Sequence, residues 1–481
     1  MKNFKTGRPF LPLLLLVFAA SLFTASCAWF KPARDSDKEK VYTDEDIGEL
    51  QGTKVFDPET GEWRTVREVS GKVDTIKWKE LKESDYPPIE SNSSWTENGN
   101  GSNEGNVPTG GEYDISLVLP FLANQPQSGP IDENSFWAIH FYAGAKLAYE
   151  DLAQKGASLL VNVADTEGNQ AKMNRLLNSP NLKNADLIIG PYKRNNVRLA
   201  EGYSKRTSTP LAVPFTAQLG LANGNPNYIQ INPSLKRHCE AITEHARAVY
   251  DTENIVLVAR DRPEEKARFH YFQDANAEMQ GSAVGARFRE YAVADGDNGE
   301  YQIDLTPYIS QGGTSVFLVP SWSDESFIYS LLRQLMIEQA KGENIVVYGM
   351  PMWMDFDQID YDFYRKLNVH VSSATYIDNS DERVRQFKRK FFDTYGEIPN
   401  EEAYLGYDAM LYFGDMLNKY GKEFPKNIDR QPYDVLHGRF DFARVVLIPE
   451  KHKEDLNYYD QLENKFVHIL QFQDFRFQPV R

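Results

Sequence analysis

From Tyr113 onward, short apolar runs alternate with stretches whose apolar residues recur at helical spacing. "YDISLVLPF" (113–121) reads as a buried strand, after which Ala138, Phe141, Tyr142, Ala145, Ala148, Tyr149 and Leu152 fall on one face of a helix. "ASLLVNVAD" (157–165) predicts a strand and "NQAKMNRLLNS" (169–179) a helix. "ADLIIGP" (185–191) predicts a strand, 195–206 a helix, and "TPLAVPFT" (209–216) a strand. A second series follows: helix 236–251, strand "NIVLVARD" (254–261), helix 263–281, strand "TSVFLVPSW" (314–322), helix 323–340 and strand "NIVVYGMPMW" (344–353). "YIQINPSL" (228–235) lies between the series as a crossing segment, and the tail "KFVHILQFQDFRFQPV" (465–480) alternates as a strand does. Strands alternating with helices predict parallel, doubly wound α/β sheets, and two series of similar size predict two lobes.

The chain before Tyr113 follows other rules. Lys2, Lys5 and Arg8 precede the apolar run "FLPLLLLVFAASLF" (10–23), which is short for a bilayer span and is followed by "TASC" (24–27). Small residues before a cysteine at that place resemble a bacterial lipoprotein signal over residues 1–27, with Cys27 as the lipid-bearing residue. Thr24 departs from the pattern, because such signals usually carry leucine there. The alternative is ordinary secretion with Cys27 a bystander. Residues 28–49 are charged and poor in apolar side chains, as a tether is. "KVFDPETGEWRTV" (54–66) has two β-like runs around Pro58 and Gly61, a hairpin pattern, and "KVDTIKWKEL" (72–81) adds a further strand pattern. Residues 28–85 thus read as tether and small β-element, and the Pro, Gly, Asn and Ser-rich stretch 86–112 as a disordered linker.

Composition narrows the function classes. A net charge of −16 opposes nucleic-acid binding, which needs a basic face for phosphates. With Cys27 acylated, Cys239 is left alone, too few thiols for a disulfide or a structural zinc site, and it reads as a small core residue. No G-x-S-x-G elbow, Walker loop or H-E-x-x-H stretch occurs, so no catalytic residue, cofactor or metal is expected and the chain reads as a non-enzyme. "DGDNGE" (295–300) lacks the spacing of a calcium loop and reads as a turn.

Over residues 113–481 the sequence resembles the type I periplasmic-binding-protein family, which includes branched-chain amino-acid binding proteins and receptor ligand-binding regions. "LIIGP" (187–191), with a helix and "PLAVPFT" after it, matches one motif, and "NIVVYG" (344–349) with "VHVSSATY" (369–376) another. "FFDTYGEIPNEEAYLGYDAMLYF" (391–413) matches at Phe391, Tyr395, Pro399, Ala403, Gly406, Tyr407, Asp408 and Ala409. "HGRFDFARV" (437–445) resembles the closing segment. The resemblance implies two Rossmann-like lobes joined by three crossings: 113–235 with 376–437 as lobe one, and 236–375 with 438–481 as lobe two. It also implies that Tyr407 and Asp408 belong to a packing helix rather than to a site.

The loops at the carboxyl ends of the strands supply the candidate ligand contacts. The family grips a carboxylate with a serine after the Gly-Pro turn and a hydroxyl after the second proline. Here the first loop reads Tyr192, Lys193, Arg194, Asn195, with no serine, and the second Phe215 and Thr216. Lys193 and Arg194 would favour an anion, or would simply meet solvent. In lobe two, Asp261 and Arg262 end one strand, and Trp322 and Trp353 end two more, positioned to sandwich a planar or apolar ligand. The acid expected to receive an amine comes late, at Asp355. The resulting expectation is a membrane-anchored lipoprotein that binds a small polar solute, amino-acid-like or anionic, and serves an ABC permease from the periplasmic face. The alternative is a regulatory or scaffold lipoprotein that uses the same fold to contact an envelope protein, such as a peptidoglycan synthase activator.

Overall fold

The computed structural model describes residues 53–57, 62–66, 112–124, 133–281, 285–296, 301–310, 312–452, 455 and 457–480. The expected signal, Cys27, the tether, the strand pattern at 72–81 and nearly all of the linker lie outside the described residues. Within the first unit, Met1–Ser102, strands Thr53–Asp57 and Glu62–Val66 pair antiparallel, Thr53 opposite Val66 and Asp57 opposite Glu62.

The second unit is built on a seven-stranded and an eight-stranded sheet. The first has at its centre strands Leu159–Asp165, Tyr113–Leu119, Leu187–Ile189, Leu211–Val213 and Tyr228–Gln230, side by side in that order and all parallel. The second has Arg289–Asp295, Ile255–Arg260, Thr314–Leu318, Asn344–Gly349 and Val369–Ser373, again parallel. In both, the second strand in chain order lies outside the first, and the third to fifth follow on the other side. The two lobes are therefore copies of one doubly wound plan. The centres read as unbroken apolar runs because helices cover both faces of a parallel sheet. Ile115, Leu187, Ile188, Val256, Leu257, Val316 and Val347 have no exposed surface.

The chain passes between the sheets three times: after Gln230, after Ser373, and between Asn464 and His468. The first and third passages are tied together. Glu463, which is fully buried, accepts the Ser234 backbone N–H at 2.8 Å and the Lys465 ammonium at 2.7 Å, and Arg237 Nε donates to the Lys465 carbonyl at 2.7 Å.

Two expectations are corrected here. Residues 438–481 do not all return to the second lobe: Gln461–Asn464 pairs parallel with Tyr228–Gln230, and Phe442–Val445 lies antiparallel outside it, both in the first sheet. The reason is packing, since Phe440, Phe442 and Leu462 bury against Phe413, Phe424 and Met416 of the first core. The tail is two strands, His468–Gln473 and Arg476–Pro479, which close the edge of the second sheet antiparallel. Arg289–Asp295 and the short Tyr301–Gln302 beside it were not expected; of the former's seven residues only Val293 is buried, which leaves little apolar signal.

The stretch "GYDA" lies in helix Glu401–Tyr420, packed along helix Glu133–Gln154. A Cβ on Gly406 would collide with the Phe141 carbonyl, and one on Gly144 with the Ala403 carbonyl, so the two backbones touch through reciprocal glycines. Asp408 is buried and accepts the backbone N–H groups of Leu436 (2.9 Å) and His437 (3.1 Å) and bonds His437 Nδ1 at 2.5 Å. Tyr407 donates its hydroxyl to Asp151 at 2.8 Å. Because backbone cannot yield as a side chain does, Gly406→Ala is expected to lower stability by about 1–3 kcal/mol or more, read from the urea midpoint of the purified protein.

Candidate ligand cleft

A sheet wound in this order has a crevice at its carboxyl edge where the chain leaves neighbouring strands in opposite directions. In the first lobe it lies between the loops that follow Leu119 and Ile189. Gly190 turns the second loop at φ 104°, and a Cβ there would strike the Val118 carbonyl. Pro191 is buried and Tyr192 swings onto an aromatic cluster: its ring centroid is 4.5 Å from Trp137 and 5.3 Å from Phe215. Phe215 in turn lies 4.6 Å from Trp137 and 5.4 Å from Phe141. Rings thus occupy the place where the family's carboxylate-binding serine was expected. Thr216 keeps its hydroxyl but uses it to accept the Gln218 N–H at 3.2 Å. Lys193, Arg194 and Asn195 are exposed at the start of helix Arg194–Thr207, with the Lys193 side chain alongside Gly168.

The second lobe's crevice, between the loops after Arg260 and Leu318, is closed by charge. The Arg260 guanidinium is held between Glu265, with Nε at 2.8 Å, and Asp324. Asp261 and Arg262 are taken by ion pairs of their own, with Lys266 at 2.5 Å and Asp295 at 3.4 Å. Trp353 is not a cleft residue: it is fully buried, its indole N–H donates to the Ser321 carbonyl at 2.9 Å, and its ring lies over Gly349 in space that a Cβ there would fill. A strand-end tryptophan followed a glycine into the core instead of facing the cleft.

Trp322 does face a cavity. About 390 Å³ of space is lined by Ala217, Gln218 and Leu219 of the first lobe and by Leu235, Lys236, Arg268, Tyr271 and Trp322 of the second. This is within the range of small-molecule pockets. A smaller space of about 110 Å³ lies by the crossings, between Phe215, Asn232, Thr375 and His437. Arg268 is fixed by donating Nη1 to the Pro320 carbonyl at 2.8 Å, two residues before Trp322. Lys236, Arg268 and Tyr271 escaped the sequence reading because they lie inside helix-like runs, where a polar side chain is ordinarily a solvated face. Two acids, Glu401 of the first lobe and Asp355 of the second, are also held above their ordinary range. Desolvation holds the Glu401 carboxyl above its ordinary range, and Glu402 and then Asp355 add to this; desolvation alone raises Asp355.

Solved structures share this architecture. A putative branched-chain amino acid ABC transporter protein from Rhodospirillum rubrum is 16% identical, the match covering 77% of this chain and 100% of that one, with a TM-score of 0.55. A branched-chain amino acid ABC transporter periplasmic ligand-binding protein from Burkholderia xenovorans is 14% identical over 77% and 95%, at 0.52. The fold is that of the type I periplasmic binding proteins. An ABC transporter substrate-binding protein from Desulfitobacterium hafniense matches at 16% identity over 77% and 100%, with a TM-score of 0.50. No protein-family model and no curated protein matches the sequence. At such identities the likeness carries the type I fold and not the ligand.

Three imidazoles are shielded from solvent, His238 and His370 buried and His468 half-buried. His238 packs edge-on to Trp322, centroids 5.5 Å apart, and burial, helped by Arg237, pushes its pKa down to about 3. Burial holds His370 and His468 down to about 4. These rings are neutral in the folded chain, whereas an unfolded chain binds their protons once pH falls below about 6.5. Stability from these sites is therefore full above that pH and is lost as pH falls from about 6.5 toward 4, and toward 3 for His238. His238→Leu is expected to flatten the decline by about 1.4 kcal/mol per pH unit in that window relative to the parent, measured by urea unfolding at pH 7, 6 and 5.

Proposed function

We propose that this protein is a lipid-anchored cell-envelope receptor that takes a small polar solute, amino-acid-like or anionic, between its lobes and hands it to an ABC permease without chemistry. The observation that carries the proposal is the cavity lined from both lobes beside the first crossing. A solute there touches both halves, so lobe closure gains contacts only when the solute is present. The neighbours of like fold from R. rubrum and B. xenovorans are described as ABC transporter proteins for branched-chain amino acids, which supports the same role for this cleft. Among the described residues no helix is long and apolar enough to cross a membrane, and membrane attachment is assigned to an acyl group on Cys27.

The second reading, a regulator that presents the fold to an envelope protein such as a peptidoglycan synthase, is favoured by one feature. Trp137, Tyr192 and Phe215 put apolar rings where an amino acid's carboxylate would be received, and Tyr192 is 38% exposed. Two experiments separate the readings. In a thermal-shift screen of amino acids, organic acids and short peptides, at least one solute should stabilise the protein by about 2.7 kcal/mol at a hundredfold excess over Kd, a rise of several degrees. No shift across the panel gives the role to the regulator. Cys27→Ala should move the protein from the membrane fraction to the soluble one after cell lysis; persistence in membranes refutes the anchor.

A further inference from the structure

The two-lobed cavity carries an unusual electrostatic content for a chain of net charge −16. Two of its lining residues, Lys236 and Arg268, are cations, and none is an acid. Among the described residues no carboxylate lies within ion-pair distance of Arg268, whereas Arg237 and Arg260 nearby are each paired with two. Among the described residues Lys236 pairs with Glu240 alone, at 3.6 Å. An arginine that is half-buried, fixed by a carbonyl and left without a carboxylate keeps most of its donors for something else, and its planar fork matches a carboxylate. Beside it stand Trp322, held in place by His238, and Tyr271. The guanidinium is bonded to the Pro320 carbonyl, two residues before Trp322.

Resting on the solute-binding reading above, we propose that the solute is an aromatic carboxylate that carries no amine, its carboxylate on Arg268 and Lys236 and its ring against Trp322 and Tyr271. A zwitterionic amino acid fits this cavity poorly, because its ammonium group would meet two cations and no acid. Asp355 and Glu401, the two acids held above their ordinary range, do not line it. The anion is thus received by the second lobe, and Lys193 and Arg194 of the first lobe take no part in it.

Isothermal titration calorimetry at pH 7 with benzoate, phenylacetate and indole-3-acetate tests the proposal, with benzamide, benzylamine, leucine and phenylalanine as comparisons. At least one of the three acids should bind, benzamide should bind at least tenfold more weakly than benzoate, and benzylamine should not bind. Arg268→Gln and Trp322→Leu should each weaken the bound acid at least tenfold, with circular dichroism and unliganded melting temperature as checks of folding. The benzoate–benzamide comparison needs no variant, so it decides the point even if a variant misfolds. Binding of leucine or phenylalanine without any of the acids overturns the aromatic-acid assignment and leaves the solute receptor standing. Acid binding untouched by Arg268→Gln overturns the assignment of its carboxylate. Silence of every compound sinks the assignment, and with silence in the wider thermal screen the receptor reading falls too.

Discussion

The buried carboxylate of Glu463 is the constraint on which the two-lobed plan turns. The chain leaves the first lobe at residue 231 and again at residue 465, and these passages are far apart in sequence. Glu463 joins them by accepting the Ser234 N–H from one and the Lys465 ammonium from the other, and Arg237 reaches across to the Lys465 carbonyl. A buried carboxylate deprived of these donors would be left uncompensated, a loss of about 3–5 kcal/mol in comparable cases. The consequence is geometric. Strand Gln461–Asn464 pairs beside Tyr228–Gln230, so these two passages leave the first sheet from neighbouring strands.

That geometry also determines what the cleft can hold. The two sheets share one strand order, and each offers a crevice at the same topological place, but the chain has filled the two differently. In the first lobe rings stack on rings around Phe215; in the second, Arg260 is neutralised by Glu265 and Asp324. Both crevices are spent on internal contacts. The open space lies to one side, where the loop 217–219 meets the start of helix Leu235–Val249 and the end of strand Thr314–Leu318. The charged and aromatic side chains of this space come from the second lobe, and the first lobe contributes Ala217, Gln218 and Leu219.

Much of this was legible from the order of residues, for physical reasons that differ by element. Centre strands such as "IVLVAR" and "NIVVYG" announce themselves because a parallel sheet is covered on both faces, and "GYDA" because two helices can approach that closely only through glycine. Edge strands are half solvated, which is why Arg289–Asp295 was missed. Long-range pairing is invisible to local periodicity, which is why Phe442–Val445 was placed in the wrong lobe. For the site, strand ends were identified but side-chain directions were not. Trp322 and Trp353 both end apolar runs, and the difference between a cleft wall and a core plug is the empty face of Gly349.

Charge explains the remainder. Among the described residues about half of the lysines and arginines pair with neighbouring carboxylates, as Lys266, Arg262 and Arg383 do at 2.5, 3.4 and 2.8 Å. The informative quantity is therefore not where lysine and arginine occur but which of them the fold leaves without a partner. Lys193 and Arg194 attract notice in sequence because they adjoin a Gly-Pro turn, yet they reach solvent, where screening makes a charge cheap and unselective. Arg268 attracts none, sitting where helix Pro263–Lys266 gives way to helix Phe269–Gln280, yet it is half-buried, carbonyl-tethered and beside a tryptophan in space shared by both lobes. A half-buried charge with no carboxylate partner among the described residues would gain most from an anionic guest, and the proposed aromatic acid follows from that.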